Sequence, residues 1–337
     1  MEDWAEPGAH EVADGVFRIP LGMPGDGLRA VNVYAMETGD GVALVDAGWR
    51  TPTGLPELES ALATVGHTAS SVHDVFVTHV HRDHYTLAVE LRRRFGTRIG
   101  LGRGEEPGLH QLLEILSNVP VESVRQLHRS GDAALAELIA AATAAEKFDA
   151  DAWEKPDSWL DPGDLAVGRR ALEAVATPGH TRGHLVFHDR TAGLLFAGDH
   201  LLPTISPSIG FELGEWELPL GSYLASLECI LTRPDAVLLP AHGAPGPSAH
   251  RRATELLEHH ETRLSETVQA LDRLGPTTAS RVAQVLTWTR HRRSYADLDA
   301  FNQMIATCET IAHLDVLVTR GRATVVDDPA GAVFSLA

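Results

Sequence analysis

Residues 78–84 run Thr-His-Val-His-Arg-Asp-His, and this stretch decides how the rest of the chain is interpreted. A run rich in β-forming residues, 74–78, leads into it, and a helical pattern, 87–91, follows it. Side chains two residues apart on an extended segment point the same way, so His79 and His81 can reach one cation.

Asp83 and His84 come where the chain turns into the predicted helix, so they can face the other side of the same pocket. Neutral imidazole is the commonest protein ligand for zinc-like ions, and carboxylate is its usual partner. A loop that is polar by chance accounts poorly for four ligand-type side chains packed directly after a hydrophobic strand. The stretch therefore predicts a metal centre at the end of a strand.

The composition is that of a soluble globular protein that is long for one compact core. The chain has 337 residues, 44% of them hydrophobic and 22% charged, which favours two domains or one enlarged domain. It lacks a run of about eighteen apolar residues, so no membrane span is predicted. The acidic segment 1–6 lacks the basic-then-apolar pattern of a secretory signal, and we expect a cytoplasmic protein.

Net charge and cysteine content disfavour two kinds of site. A net charge of -18 repels phosphate backbones, which proteins bind through lysine and arginine, so a nucleic-acid substrate is disfavoured. The two cysteines, Cys229 and Cys308, lie in helical patterns and cannot build a disulfide framework or a thiolate metal site. We expect both to be small buried hydrophobes, and any metal to be held by nitrogen and oxygen.

Strand and strand-helix patterns fill most of residues 1–250, which we predict to be the catalytic domain. Within it, residues 105–160 change to leucine-rich helical spacing and are predicted to form a helical insertion. Such an insertion either roofs a pocket with apolar side chains or only covers exposed sheet, and the pattern leaves both alternatives open.

Residues 251–337 are predicted to be a separate, mostly helical domain. Three helical pieces are followed by a predicted hairpin with strands at 316–318 and 324–326, an order that suggests a winged helix. Acidic and basic residues roughly offset each other across this tail, so a nucleic-acid surface is not evident. We favour a packing or dimerisation role for it, with a homodimer as one outcome.

Further ligand-type side chains occur in glycine-containing loops at the ends of three predicted strands. α/β folds place sites there because a rigid strand positions the loop residue. With the first stretch, these loops bring the predicted metal ligands to seven: His79, His81, Asp83, His84, His180, Asp199 and His242.

These motifs, in this order, resemble those of the metallo-β-lactamase superfamily, and the resemblance spans roughly residues 15–246. The matching signatures are Val45–Gly48, the His-x-His-x-Asp-His loop, Pro178–Thr181, Gly198–His200 and Ala241–Gly243. The resemblance implies an α/β fold, a four-layer αβ/βα sandwich with metals at one edge. The tail resembles the branch of the superfamily that carries a C-terminal winged-helix domain.

The resemblance also implies a role for each donor. His79, His81 and His180 would hold one ion; Asp83, His84 and His242 would hold a second; Asp199 would bridge both. Asp46 would support the metal loop through hydrogen bonds. No ligand is substituted, so a binuclear site with two divalent ions is expected; zinc suits the donors, and iron or manganese stays open.

The expected reaction follows from the ligands. Two adjacent cations lower the pKa of a shared water, so a bridging hydroxide exists near neutral pH, and a metal stabilises charge that develops on a polarised oxygen. Asp83 or Asp199 could pass the proton to the leaving group. We therefore predict a hydrolase of a small-molecule carboxylic ester, lactone or thioester. A phosphodiesterase or endoribonuclease of the same fold, and a di-iron oxygenase or redox enzyme, stay open as alternatives.

Three further side chains are candidate substrate contacts. His200 follows the bridging aspartate, Tyr85 follows the metal loop, and Tyr223 begins a predicted helix. His184 and His200 could instead orient a ligand, and core packing is the alternative for both tyrosines. β-Lactam hydrolysis is disfavoured because the second ligand set is Asp-His-His, a bridging aspartate is present and a secretory signal is missing.

Overall fold

The computed structural model describes residues 3–23, 25, 27–210 and 216–337. The first of two main sheets has seven strands: β1 (His10–Ala13), β2 (Val16–Gly22), β3 (Ala30–Glu37), β4 (Val42–Val45), β5 (Val72–Val77), β6 (Arg98–Gly102) and β7 (Ser158–Leu160). They lie side by side in chain order. The connections from β4 onward are parallel, so the carboxyl ends of β4 and β5 meet at one edge.

The second main sheet has five strands, in the order β12-β11-β10-β9-β8. Their bounds are β8 (Gly163–Val167), β9 (Arg170–Ala176), β10 (Leu185–Asp189), β11 (Leu194–Gly198) and β12 (Val237–Pro240). β10 and β11 are buried along their whole length, as expected of strands covered on both faces. Side chains such as Tyr34, Phe187 and Phe196 form the core between the two sheets.

Helices cover the outer face of each sheet, and the result is the predicted α/β sandwich of four layers. α1 (Gly54–Thr64) and α2 (Arg82–Phe95) pack on the first sheet, and α6 (Pro219–Leu231) packs on the second. α2 carries Asp83 in its first turn and three arginines in its last turn, which suits the helix dipole. It stops at Gly96, whose φ of 79° is a left-handed conformation that glycine adopts without strain.

The region 105–160 contains three helices: α3 (Glu106–Ile115), α4 (Val121–Arg129) and α5 (Ala133–Ala144). These helices lie between β6 and β7, so residues 158–160 at the end of the region form a strand of the first sheet and not a helix. α3 covers that sheet through Leu109. α4 and α5 instead pack on the long C-terminal helix α9 (Ala300–Thr319). The Arg129 guanidinium donates two hydrogen bonds, of 2.8 and 2.6 Å, to the Asp315 carboxylate on that helix. The insertion is therefore joined to the tail.

The tail contains α7 (Ala249–Leu274), α8 (Ala279–Val285) and α9, with short strands between and after them. These strands are β13 (Thr277–Thr278), β14 (Thr287–Trp288), β15 (Arg293–Ser294), β16 (Ala323–Val326) and β17 (Val333–Leu336). The predicted strand at 316–318 is wrong, because those residues belong to α9, where Val316 and Leu317 are buried in the helical core. The hairpin is formed by β16 and β17 instead, and β13 pairs with β17.

Two smaller points follow from the described helices and cysteines. Within the described ranges, every helix is too short or too polar to cross a lipid bilayer. Cys229 and Cys308 are both free thiols, but Cys229 is only half-buried, so the expectation that it is a buried side chain is wrong. Cys308 is buried, which raises the pKa of its thiol to about 12. Cys308 is thus a packed apolar side chain, as predicted.

Two buried histidines join α7 to α9 inside the tail. His313 Nδ1 lies 2.8 Å from the Glu309 carbonyl oxygen, which can only accept, so His313 carries its proton there. His313 Nε2 is then the acceptor for His260 Nδ1, 3.2 Å away. Burial lowers the pKa of His313 to about 3 and holds the pKa of His260 well below its ordinary value. The charges of Arg263 and His259 lower both pKa values further. The hydrogen bond to the Glu309 carbonyl acts in the opposite direction, on His313 alone.

We expect this pair to make the protein sensitive to acid. Below pH 6.5 these two histidines bind protons in the unfolded chain but stay neutral in the folded protein. The free energy of unfolding therefore falls as the pH drops from about 6.5 toward 3. One such histidine costs about 2 kcal/mol of unfolding free energy at pH 5. Urea unfolding at pH 7.5 and pH 5 should therefore show a smaller acid loss in His313→Gln than in the wild type. Equal losses would contradict this, since all other histidines are shared.

Candidate metal centre

The seven predicted donors come from four loops that open at the same edge of the two sheets. His79 and His81 follow β5, and Asp83 and His84 lie in the first turn of α2. The other three donors lie in the second sheet, in the β9–β10 loop and directly after β11 and β12: His180, Asp199 and His242. The loops after β5, β11 and β12, together with the β9–β10 loop, thus bring the seven donors to one place.

The donors form two adjacent groups. In the first group, His79, His81 and His180, one ligand atom of each lies within 4.8 Å of the others, and His180 Nε2 is 3.1 Å from His81 Nδ1. The second group is Asp83, His84 and His242. Asp83 Oδ2 lies 3.3 Å from His242 Nε2 and 3.5 Å from His84 Nε2. Each group has the spacing of ligands around one ion.

Asp199 lies between the groups and turns one oxygen to each. Its Oδ2 is 3.4 Å from His180 Nε2 in the first group. Its Oδ1 is 3.4 Å from His242 Nε2 and 3.7 Å from His84 Nε2 in the second. This is the arrangement that a bridging carboxylate requires.

The hydrogen bonds of the Nδ1 atoms in two of the candidate histidines show that their Nε2 atoms face the centre. His180 Nδ1 donates to the Ser208 carbonyl at 2.8 Å, and His242 Nδ1 donates to the Ala30 carbonyl at 2.8 Å. Carbonyl oxygens only accept, so both protons are on Nδ1 and both Nε2 lone pairs face inward. The protein thus holds these imidazoles in the tautomer that could bind a metal ion.

The Asp46 carboxylate supports the loop 78–84 through hydrogen bonds. Its Oδ1 accepts from the Thr78 backbone N–H at 2.8 Å, and its Oδ2 lies 2.8 Å from His84 Nδ1. The Thr78 hydroxyl also donates to this carboxylate, so it accepts from His79 Nδ1, 3.1 Å away. Asp46 therefore fixes the tautomers of His79 and His84 together, which is the supporting role that the resemblance implied.

Burial and neighbouring charges shift the pKa values of the candidate histidines in opposite directions in the two groups. Burial lowers the pKa of His79 well below its ordinary value and that of His81 to about 3, and it also lowers the pKa of His180. Burial acts the same way on His84, but Asp46, Asp83 and Asp199 outweigh it and raise the pKa of His84 well above normal. The second group therefore lies in a strongly negative field that favours a cation.

The chemistry of the donors fits two divalent ions. Among the described residues, the buried Nε2 atoms of His79, His84 and His242 and the Oδ1 atom of Asp199 have no hydrogen-bond partner. A buried polar atom left in that state costs about 1–3 kcal/mol. Imidazole and carboxylate donors suit zinc and also iron or manganese, and an ion in each group would satisfy these atoms.

The three candidate substrate contacts lie around the predicted ligands, and the hydroxyls of the two tyrosines both donate to backbone carbonyls. The Tyr85 hydroxyl donates to the Glu154 carbonyl at 2.7 Å, and the Tyr223 hydroxyl donates to the His200 carbonyl at 2.9 Å. His200 is fully buried, with its ring 5.2 Å from that of Tyr223. These contacts favour the packing role for both tyrosines, and the substrate contacts stay predictions.

His184 and Tyr223 contact the parts of the site that hold the first group. The His184 ring stacks on His79 at 5.1 Å between centroids, and its Nδ1 is 2.9 Å from the Thr177 hydroxyl. Tyr223 lies against Gly179, where an added Cβ would come within 2.4 Å of it. Because that glycine precedes His180, Tyr223 supports the loop that carries this ligand.

Comparison with known proteins agrees with this geometry. The sequence model of the metallo-beta-lactamase superfamily matches residues 26–242. A metallo-beta-lactamase family protein from Thermus thermophilus has a similar structure, with a TM-score of 0.78 and 28% identity over 97% of this chain and 100% of that one. For a beta-lactamase domain protein from Burkholderia ambifaria the TM-score is 0.76 and the identity 26%, over 98% and 93% of the two chains.

A relative of known sequence, the lactamase-like protein nscB of Neosartorya fischeri, is 26% identical over 271 residues. The match covers 79% of this chain and 64% of that protein, so the chain spans slightly less than two thirds of its relative. The superfamily match covers more than half of the chain and includes all seven donors. The chain therefore belongs to the metallo-beta-lactamase superfamily.

Proposed function

We propose that this protein is a hydrolase with a binuclear metal centre, and that it cleaves a small carboxylic ester, lactone or thioester. The observation that carries the proposal is the position of Asp199, which turns one oxygen to each of two complete donor groups. The site as a whole contains five ligand histidines and three carboxylates. The carboxylates are those of Asp46, Asp83 and Asp199. Such a set offsets much of the charge of two divalent ions.

The chain's own residues would orient the reaction. Bound ions would supply an activated water at neutral pH and an electrophilic centre for a substrate oxygen. Asp83 and Asp199 are the carboxylates that could carry a proton to the leaving group. The side chain of Asp83 is 13% exposed and that of Asp199 is 9% exposed, so we assign the transfer to the more accessible Asp83.

An uncharged or weakly charged substrate suits the charge of the chain better than RNA does. The net charge of -18 disfavours a polyphosphate substrate. The tail supports the same choice, because its helix α9 is occupied by the insertion through Arg129 and Asp315. Further contacts join Ser280 to Asp132 and to the Ser130 carbonyl. We infer that the winged-helix-like tail serves packing.

Removing and restoring the metal tests this proposal. We expect the chelated protein to lose hydrolysis of an activated ester, a thioester and a lactone, and to regain it with two equivalents of a divalent ion. It should also unfold more easily, because an ion at a hundred times its Kd adds about 2.7 kcal/mol to the stability. Metal analysis of protein made without added zinc separates zinc from iron.

Two outcomes would contradict the proposal. One is a protein with two bound ions that cleaves none of the three compounds, and the other is a chelated protein that keeps its activity. RNA included in the same assay over a salt series tests the alternative, since phosphate contacts give a steep dependence on salt.

A further inference from the structure

The loop that carries His242 is attached to the opposite sheet. His242 follows β12 of the second sheet, yet its Nδ1 donates to the Ala30 carbonyl in β3 of the first sheet, at 2.8 Å. The Asn32 backbone N–H, also in β3, donates to the Ala241 carbonyl at 2.6 Å. β4 pairs with β3 only from Tyr34 onward, so the edge of β3 before Tyr34 is open to this loop.

Asn32 makes the most contacts in this attachment. Its side-chain amide donates to the Pro240 carbonyl and to the Gly243 carbonyl, both at 2.9 Å. These two carbonyls stand on either side of His242 in the sequence. The Tyr34 hydroxyl donates to the same Pro240 carbonyl at 2.8 Å. Asn32 is fully buried and Tyr34 is 2% exposed, so the two bonds to the Pro240 carbonyl are shielded from water.

Arg18 fixes which way the amide of Asn32 points. Its Nη1 donates to Asn32 Oδ1 at 3.0 Å and to the Trp4 carbonyl. Because guanidinium only donates, the atom that faces it must be the amide oxygen. The amide nitrogen then faces the two carbonyls of the His242 loop, which need donors.

We propose that Asn32 is a positioning residue for His242 and so sets the affinity of the second metal group. The proposal rests on the binuclear site proposed above and assigns that site a residue outside its ligands. Asn32 acts through the backbone on both sides of His242, while the Ala30 carbonyl holds the imidazole itself. The first group has its own supports, Thr78 and Ser208, so losing Asn32 leaves that group intact.

The isosteric variant Asn32→Asp tests this directly. It keeps the oxygen that faces Arg18 but turns a carboxylate oxygen toward two carbonyls, so both donated bonds are replaced by repulsion. We expect the second ion to bind roughly 10–100-fold more weakly, the range seen for residues that support metal ligands, with the first ion unchanged. Stepwise Zn²⁺ or Co²⁺ titration against a chelator measures both affinities without any substrate.

Two further variants make the result interpretable. Tyr34→Phe removes one donor and keeps Asn32, so it should weaken the second ion by a smaller factor, and it serves if Asn32→Asp does not fold. Thr97→Val is the matched control. It removes a buried 2.8 Å hydrogen bond to the Val72 carbonyl at the far end of the same sheet, and should leave both affinities unchanged.

The outcomes separate this inference from the proposed function. Unchanged second-ion binding in Asn32→Asp, or in Tyr34→Phe if that alone folds, would overturn the inference. Equal weakening of both ions, or the same effect in Thr97→Val, would overturn it too. A wild-type protein that binds two ions but cleaves no ester would overturn the proposed function and leave the role of Asn32 standing.

Discussion

Replacing Asp199 with alanine is expected to abolish hydrolysis and to leave one bound ion per chain. The first group keeps three histidines, whereas the second loses the oxygen that lies 3.4 Å from His242 Nε2. Metal-ion catalysis supplies several kcal/mol of transition-state stabilisation, so kcat/KM should fall by about 1000-fold or more. Ester hydrolysis and metal content of the purified variant measure both effects.

The matched control for Asp199→Ala is Asp189→Asn. Asp189 is also a buried aspartate of the second sheet, but it lies at the other end of β10 from the metal groups and pairs with Arg170 at 2.9 Å. Its loss should lower stability without changing the number of bound ions. Two tightly bound ions in Asp199→Ala would show that the two groups do not share this carboxylate.

Asp46→Asn is expected to be the second most damaging change, although Asp46 is not a ligand. Its φ of 58° is left-handed, a conformation that asparagine tolerates, so the backbone should survive. The new amide would either take its N–H₂ to His84 Nδ1, 2.8 Å away, or lose the bonds from Thr78. Facing a donor, His84 must move its proton to Nε2, the atom that should bind metal.

We therefore expect second-ion affinity to fall about 10–100-fold in Asp46→Asn, with kcat reduced accordingly. If the amide N–H₂ faces Thr78 instead of His84, the buried Thr78 backbone N–H loses its acceptor, and the unfolding free energy should drop by about 1–3 kcal/mol. Asp74→Asn on the neighbouring strand β5 is the control, since its partner Arg98 is exposed. Wild-type metal binding in Asp46→Asn would show that the tautomer of His84 is not set by this carboxylate.

The parts of the fold and site that sequence alone could predict are those with a local pattern. The His-x-His-x-Asp-His loop places four donors within six residues, and each of the other three donors directly follows or precedes glycine in a strand-end loop. The layered sandwich followed from the resemblance that these same motifs carry. The spacing of donors that a metal ion requires can therefore be recognised in the sequence.

Other features depend on contacts that leave no local pattern. Asn32 stands in the strand-like run Val31–Tyr34, and the two carbonyls to which its side chain donates lie more than 200 residues away. The one signal in the sequence was a polar amide side chain between two β-branched residues. A buried strand rarely contains such a side chain unless it has hydrogen-bond partners. Likewise Val316 and Val318 suggested a strand, but packing of α9 against α6 and α7 overrides that weak preference.

Anomalous diffraction from crystals grown with zinc tests the central claim most directly. The account predicts two peaks about 3.5–4 Å apart, each about 2.0–2.2 Å from its donors, with one Asp199 oxygen on each ion. His79, His81 and His180 should surround the first peak, and Asp83, His84 and His242 the second. A single peak in fully loaded crystals, or two peaks with Asp199 or His242 bound to neither, would contradict it.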